Sequence, residues 1–140
     1  MFCLEYPKAP SWAPSYFYID GVGTIPMSPE SERVMFADDL LLYRPISNPS
    51  EFVIVQDDIT NIEDWSIANF LALNPSKCKY MVLSRKRAPL LPETTLKLNN
   101  QELDLVDIYK NLGILISKDL SWSPHTDTIC AKARKILGLL

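Results

Sequence analysis

Residues Val34–Tyr43 read VMFADDLLLY, so two adjacent aspartates, Asp38 and Asp39, interrupt an otherwise apolar run. The apolar residues on either side predict two strands, Arg33–Phe36 and Leu40–Arg44, joined by a tight Ala-Asp-Asp turn. Because these flanks are continuously apolar rather than alternating, they indicate a sheet with little of either face left to water. Burying an unpaired carboxylate costs roughly several kcal/mol, so folding alone does not account for the aspartate pair.

Carboxylates next to each other in a hairpin turn are expected to project together, since the turn breaks the alternation of the strands. Such oxygen ligands suit a hard ion such as Mg²⁺. Two Mg²⁺ ions can activate a hydroxyl group and stabilise a leaving group. One carboxylate pair carries too little charge for two ions, so a third carboxylate from a neighbouring strand is expected. From these residues alone a metal site and a plain polar turn both remain open, and the tight apolar flanks favour a function.

The composition is that of a globular chain. The protein has 140 residues, of which 47% are hydrophobic and 22% charged, enough for one domain or for a piece of a larger one. No apolar run approaches the roughly 20 residues of a membrane span, and the N-terminal residues lack the order of a signal peptide. We therefore expect a soluble, intracellular chain without a membrane partner, in the nucleus or the cytoplasm.

The cysteines and the one histidine predict no second reactive centre. The three cysteines are far apart and lack a C-x-x-C spacing, so we expect reduced thiols, with Cys78 and Cys130 buried. His125 is expected to be an exposed residue in a first helical turn. A second acidic pair, Asp57 and Asp58, falls inside a helical pattern and is expected on a solvated helix face.

Charge is distributed unevenly along the chain. Residues 1–64 carry 3 basic and 11 acidic side chains, whereas residues 65–140 carry 11 basic and 6 acidic ones. A stretch without acids between Trp65 and Pro92 holds Lys77, Lys79, Arg85, Lys86 and Arg87. This stretch could face phosphates. It could equally be a strand edge protected by lysines.

The order of predicted elements is hairpin, helix, strand, hairpin, strand, helix. After the first hairpin we expect a helix over 50–73, a strand over 79–84, a hairpin around Asn99–Asn100, a strand over 109–117 and a helix from Ser123. The last helix is expected to bury Ile129, Ala133, Ile136, Leu137 and Leu140. Residues 1–15, with three prolines, are expected to form an irregular arm. This order predicts an α+β fold with helices on one face of a mostly antiparallel sheet.

Five segments of the chain carry a resemblance to a known family. Phe36-Ala37-Asp38-Asp39 followed by LLLY resembles the active-site hairpin of the reverse transcriptases of non-LTR (LINE-type) retrotransposons. YFYIDGVGTIPMS (16–28) resembles the helix end and connector that precede that hairpin. DDITNIEDWSIANFLALNPSKCKYMVLSRK (57–86) resembles the following helix and strand of the palm. YKNLGILISKDLSWSPH (109–125) resembles the strand near the primer terminus, and CAKARKILGLL (130–140) the start of the thumb.

The resemblance implies a partial polymerase palm over 16–122 and the start of a thumb helix over 123–140. The implied activity is that of an RNA-directed DNA polymerase using two-metal nucleotidyl transfer, with Mg²⁺ or Mn²⁺. Asp38 and Asp39 would be the catalytic, metal-binding carboxylates. The implied partners are an RNA template, a DNA primer and deoxynucleoside triphosphates. The residues implied near nucleotide or primer are Phe36, Ala37, Lys77, Lys79, Leu112 and Gly113.

The family's third catalytic aspartate and its fingers lie upstream of everything that matches here. We therefore expect the chain alone to hold metal weakly and to be inactive. The alternative is a non-catalytic remnant of a retrotransposon that binds nucleic acid or protein.

Overall fold

The computed structural model describes residues 2–5 as backbone and residues 22–36 and 39–138 in full. The chain divides into two compact units. Unit 1 comprises the described residues of Met1–Tyr80 together with Leu90–Leu105, and unit 2 comprises Met81–Pro89 and the described residues of Val106–Leu140.

Unit 1 contains a five-stranded sheet. Its strands are β1 (Phe2–Glu5), β2 (Glu32–Phe36), β3 (Asp39–Tyr43), β4 (Lys79–Tyr80) and β7 (Asp104–Leu105). The strand order is β2-β3-β1-β4-β7, antiparallel except for the parallel pair β4–β7. A mostly antiparallel sheet in an α+β fold is thus confirmed. Nothing in the structure tests the predicted division into palm and thumb.

The predicted hairpin is confirmed, with β2 and β3 paired from Glu32–Tyr43 to Phe36–Asp39. The expected irregular arm is wrong at its start, because Phe2–Glu5 forms β1 between β3 and β4. These four residues precede the first proline of the chain, Pro7, so their N–H groups are free to join the ladder. The remainder of the arm and the segment 16–21 lie outside the described residues.

Only one face of the β2–β3 hairpin is covered. Leu40 and Leu42 are fully buried, whereas Val34 and Phe36 on β2 are 50% and 61% exposed. Since directly paired residues of an antiparallel ladder share a face, the register places these two pairs on opposite faces. The expectation that little of either face is left to water is therefore wrong, whereas one covered face agrees with the predicted helix layer. A continuous apolar run does not reveal which of its residues meet a second layer.

Helix α1 (Phe52–Ala68) follows a short 3-10 turn at Pro49–Glu51 and supplies the other half of the core of unit 1. Its buried apolar residues are Phe52, Val55, Ile59 and Ile62. The i, i+3, i+4 spacing of these residues is what places them on one stripe of the helix. The core of unit 1 is completed by Val22, Ile25, Leu40, Leu42, Leu73, Cys78, Tyr80, Leu96, Leu98 and Leu103.

Helix α1 ends earlier than the sequence predicts. Phe70 has a φ of 57°, Leu71 N–H donates to Ser66 O at 2.8 Å, and Phe70 N–H donates to Ile67 O at 3.1 Å. These two bonds form a Schellman motif, in which the left-handed residue stops the helix. The apolar spacing of the helix continues through Ile67 (or Trp65) and Phe70, yet Phe70 is 97% exposed and Ile67 is exposed too.

Polar side chains of α1 hold two neighbouring segments. Gln56 accepts from Lys97 N–H at 2.8 Å and donates to Lys97 O at 3.0 Å, and Glu63 accepts from Asn99 N–H. Asn61 donates to Pro26 O at 3.1 Å. One set of bonds fixes the second hairpin of unit 1, and the other fixes the segment that leads into β2.

That second hairpin is confirmed as β5 (Lys97–Leu98) and β6 (Gln101–Glu102). Asn99 and Asn100 have φ values of 50° and 60°, the left-handed pair that a two-residue hairpin turn of type I′ requires. Asparagine tolerates this conformation better than most residues. The predicted strand over 79–84 is shorter than expected, since only Lys79–Tyr80 forms ladder bonds.

Unit 2 consists of a hairpin, a helix and the segment 81–89. The hairpin strands are β8 (Ile108–Asn111) and β9 (Ile114–Ser117), and the helix is α2 (Ser123–Ile136). The single strand predicted over 109–117 is wrong, because the chain reverses at Leu112 and Gly113, with φ values of 47° and 88°. A leucine carries no turn signal, so the sequence concealed this turn.

Helix α2 begins where predicted, with Pro124 in its first turn, but its apolar residues are exposed. The exposed set comprises Ile129, Ala133, Ile136 (85%) and Leu137, and Leu140 lies outside the described residues. The helical pattern was right, but no described layer covers that stripe. None of the helices in the described part of the chain is long and apolar enough to cross a membrane.

Candidate functional site

The predicted metal-binding pair is only partly described. Asp38 and Ala37 lie outside the described residues. Asp39 is the first residue of β3, half-buried and paired with Phe36. It therefore belongs to the ladder, in contrast to the sequence prediction, which placed both aspartates in the turn.

The sheet brings a third acidic residue to the same place. In the antiparallel pairing of β1 with β3, Glu5 lies directly opposite Asp39. Directly opposed residues of an antiparallel pair have Cα atoms about 4.5–5.5 Å apart. The register thus sets an acidic residue on the strand that neighbours Asp39. No local signal marked Glu5, because its relation to Asp39 depends on strand pairing.

Phe36 and Lys79 share the outward face of the sheet with Asp39. Phe36 pairs with Asp39 and is largely exposed. Lys79 pairs with Cys3, and Cys3 pairs with Leu41, which lies two residues after Asp39 and on the same face of β3. Lys79 therefore lies on the same face of the sheet as Asp39, two strands away. Strand spacing puts the two backbones about 10 Å apart across the sheet and about 7 Å apart along it. Lys77, in the 3-10 turn before β4, is exposed.

Tyr43 lies at the end of this face that is farthest from Asp39. Tyr43 pairs with Glu32 in the ladder, and its hydroxyl donates to the Glu32 carboxylate. This hydrogen bond raises the pKa of Tyr43 above its usual value. The phenol is therefore neutral at pH 7 and acts as a donor, and it leaves the acidic character of the face unchanged.

Leu112 and Gly113, the residues implied near the primer, form the β8–β9 turn in unit 2. Both are exposed, and apart from the chain neighbours of Gly113 no atom of the described residues lies within 4 Å of the position that its Cβ would occupy. The glycine is therefore required by its positive φ and not by close approach of another described segment. The space around this turn is open to a ligand.

The second acidic pair contradicts the sequence prediction. Asp57 is exposed as expected, but Asp58 is fully buried. Its Oδ1 accepts from Ser28 N–H at 2.8 Å, and its Oδ2 is buried without a hydrogen-bond partner among the described residues. Asp58 is a structural residue, since it holds the segment before β2 onto α1.

Two further expectations are corrected. Cys78 is buried, with its thiol donating to Asn74 O at 3.1 Å, but Cys130 is an exposed free thiol because α2 is uncovered. His125 is half-buried, not exposed: its Nδ1 accepts from Leu115 N–H at 3.3 Å, and its ring lies 6.2 Å from that of Trp122.

Carboxylate oxygens are the right donors for Mg²⁺, and the β1–β3 register sets two acidic residues, Glu5 and Asp39, opposite each other. Within 22–36 and 39–138, no three His, Cys, Asp or Glu side chains come together in a way that could hold a metal ion.

Comparison of the chain with protein-family models, with curated proteins and with solved structures finds no match.

Proposed function

We propose that the chain is the palm part of a reverse-transcriptase-like nucleotidyltransferase, with Asp38, Asp39 and Glu5 as its metal-binding residues. The observation that carries the proposal is the register of β1 and β3, which sets Glu5 opposite Asp39 at the mouth of the Phe36–Asp39 hairpin. The outward face beside these residues is uncovered at Val34 and Phe36 and is therefore accessible to a ligand.

Each residue of the proposed site has a distinct role. Asp38, Asp39 and Glu5 would hold Mg²⁺, which when bound supplies charge neutralisation for transfer of a nucleotide to a 3′-hydroxyl. Phe36 would pack against the ligand at the end of β2. Lys79, on the same face, would face the phosphates of the incoming nucleotide, where a compact cation is effective.

The first test is metal binding, because it does not depend on activity. Titrating the chain with Mn²⁺ should selectively broaden the backbone NMR signals of residues 3–5 and 39–41. Asp39→Asn and Glu5→Gln are each expected to weaken Mn²⁺ binding by about tenfold or more, as the loss of a supporting metal-site group does elsewhere. Asp57→Asn is the matched control, since it removes the same charge from an exposed position. Equal effects of Asp39→Asn and Asp57→Asn would contradict the site.

The second test is primer extension on an RNA template with Mg²⁺ or Mn²⁺. Because the fingers that grip template and nucleotide have no counterpart in the matching segments, we expect no extension by the chain alone. Template-dependent extension that Asp38→Asn abolishes would refute this expectation and would show that the three acidic residues suffice.

A non-catalytic nucleic-acid-binding protein is the second candidate, and the charge of unit 2 favours it. Unit 2 carries eight Lys or Arg residues and three Asp residues. Under this alternative, nucleic acid binds but Mn²⁺ shows no preference for residues 3–5 and 39–41.

A further inference from the structure

The charge of the chain is separated by structural unit. Unit 2 has a net charge of +5, whereas the full ranges 1–80 and 90–105 together carry six basic and fourteen acidic residues, a net charge of −8. All eight cationic side chains of unit 2 are exposed. A polyanion is therefore expected to meet the protein at unit 2.

Unit 2 also contains an open groove of about 250 Å³. Its walls include Leu115 and Ile116 of β9, Leu120 and Trp122 of the following turn, and Arg85. Trp122 is 66% exposed although it is the largest apolar side chain of the unit. A wide aromatic face beside a guanidinium suits a planar, anionic ligand.

The turn that forms one wall of this groove is held in a strained conformation. Leu120 has a φ of 60°, a left-handed value that is unfavourable for leucine. Three bonds fix it: Leu120 N–H donates to Ser117 O at 2.9 Å, while Ser117 Oγ (2.7 Å) and Ser121 N–H (2.9 Å) donate to Asp119 Oδ1. Strained residues that are held in place by several surrounding bonds cluster at ligand sites.

The Trp122 indole and the Arg85 guanidinium are both accessible to a ligand. The Trp122 indole has the tilted His125 ring on one side at 6.2 Å and is otherwise largely in solvent. Ser84 N–H donates to Lys118 O at 2.8 Å, which fixes the segment carrying Arg85 beside the end of β9. No carboxylate in the described part of the chain forms an ion pair with Arg85.

We propose that the Arg85–Trp122 groove binds single-stranded nucleic acid, with an unpaired base stacked on Trp122 and a neighbouring phosphate paired with Arg85. The proposal deepens the proposed function and rests on it for the choice of polynucleotide, but it requires no metal. The groove is slightly smaller than the roughly 300–1,000 Å³ of small-molecule sites, which fits one base. Duplex bases are already stacked, so a duplex can offer only its backbone. An acidic peptide would use Arg85 but has no group that needs the indole.

Binding of a fluorescein-labelled twelve-nucleotide oligo(dT) or oligo(U) to the full chain, measured by anisotropy in EDTA, tests the proposal. Loss of one stacked base weakens binding by roughly tenfold, so Trp122→Leu should raise the dissociation constant by about that factor. Trp122→Phe should retain most of the affinity because the stacking surface remains. Circular dichroism of both variants checks that unit 2 stays folded.

Arg85→Gln should lower the slope of log affinity against log salt by about 0.7, the value for one phosphate contact of a single strand. Arg87→Gln removes the same charge outside the groove and should have a smaller effect on affinity. The proposal would be overturned if Arg85→Gln and Arg87→Gln changed oligonucleotide binding equally, or if Trp122→Leu left the affinity unchanged. It would also be overturned if duplex bound as tightly as the single strand, or if poly-Glu peptide competed as strongly as unlabelled oligonucleotide.

The Asp39→Asn variant separates this proposal from the proposed function. It should bind the oligonucleotide like the unmodified chain, since EDTA removes any metal contribution. If Mn²⁺ does not bind at Asp39 but oligonucleotide affinity still depends on Trp122, only the metal site is contradicted. If Mn²⁺ binds at Asp39 but oligonucleotide affinity does not depend on Trp122, only the groove proposal is contradicted.

Discussion

The buried carboxylate of Asp58 gives the sharpest prediction about stability. We compare Asp58→Ala with Asp57→Ala, its exposed neighbour on the same helix. Asp58 Oδ1 accepts the Ser28 N–H at 2.8 Å, and hydrogen bonds to charged groups contribute about 1.5–3 kcal/mol. Removing the side chain also removes the orphaned Oδ2, which offsets about 1 kcal/mol of that loss.

Replacing Asp by Ala raises helix propensity at both positions by up to about 0.7 kcal/mol. Comparing the two variants cancels this contribution. Asp57→Ala should therefore be neutral or slightly stabilising, and Asp58→Ala should have a free energy of unfolding about 0.5–2 kcal/mol below that of Asp57→Ala. Asp58→Asn, which keeps an acceptor oxygen for Ser28, should recover at least half of the difference.

The assay is urea unfolding followed by circular dichroism at 222 nm, where α1 is the longest contributing helix. The dependence on urea should be the same for all variants, so that midpoints report stability alone. A difference between Asp58→Ala and Asp57→Ala below about 0.5 kcal/mol, the range of ordinary surface substitutions, would refute the assignment of Asp58 as a structural anchor.

Two more predictions concern strain and pH. Phe70→Gly should stabilise unit 1 by about 0.5 kcal/mol, because glycine relieves the strain of the left-handed conformation at the end of α1 and the exposed ring contributes no packing. Phe70→Ala keeps the strain and should leave the urea midpoint unchanged. Equal changes of the urea midpoint in the two variants would contradict the argument. Hydrogen bonds from the Ser117 hydroxyl and, to a smaller extent, the Ser121 N–H lower the pKa of Asp119, so the folded protein favours the ionised carboxylate. The stability that results is present above the unfolded pKa of about 3.9 and is lost as the pH falls through the pKa of the folded protein. The urea midpoint of the unmodified chain should therefore exceed that of Asp119→Asn at pH 7, with a gap that narrows below about pH 4; a gap independent of pH would contradict the role of the ionised form.

Several elements followed from local patterns. The VMF–LLLY hairpin, the first turn of α2 at Ser123-Pro124 and the Asn99–Asn100 turn each depend on residues adjacent in sequence, and each is confirmed. The turn at Leu112–Gly113 was missed because a leucine took a left-handed conformation that its side chain does not favour.

What the sequence by itself determined is the VMF–LLLY hairpin, the Asn99–Asn100 turn and the two helices that begin near Ser50 and Ser123. Only the tertiary structure decided that Asp58 is buried, that Cys130 and Ile136 are exposed, and that Glu5 lies opposite Asp39. The physical reason is that periodicity reports which residues share a face, whereas burial and strand register depend on which distant segment meets that face.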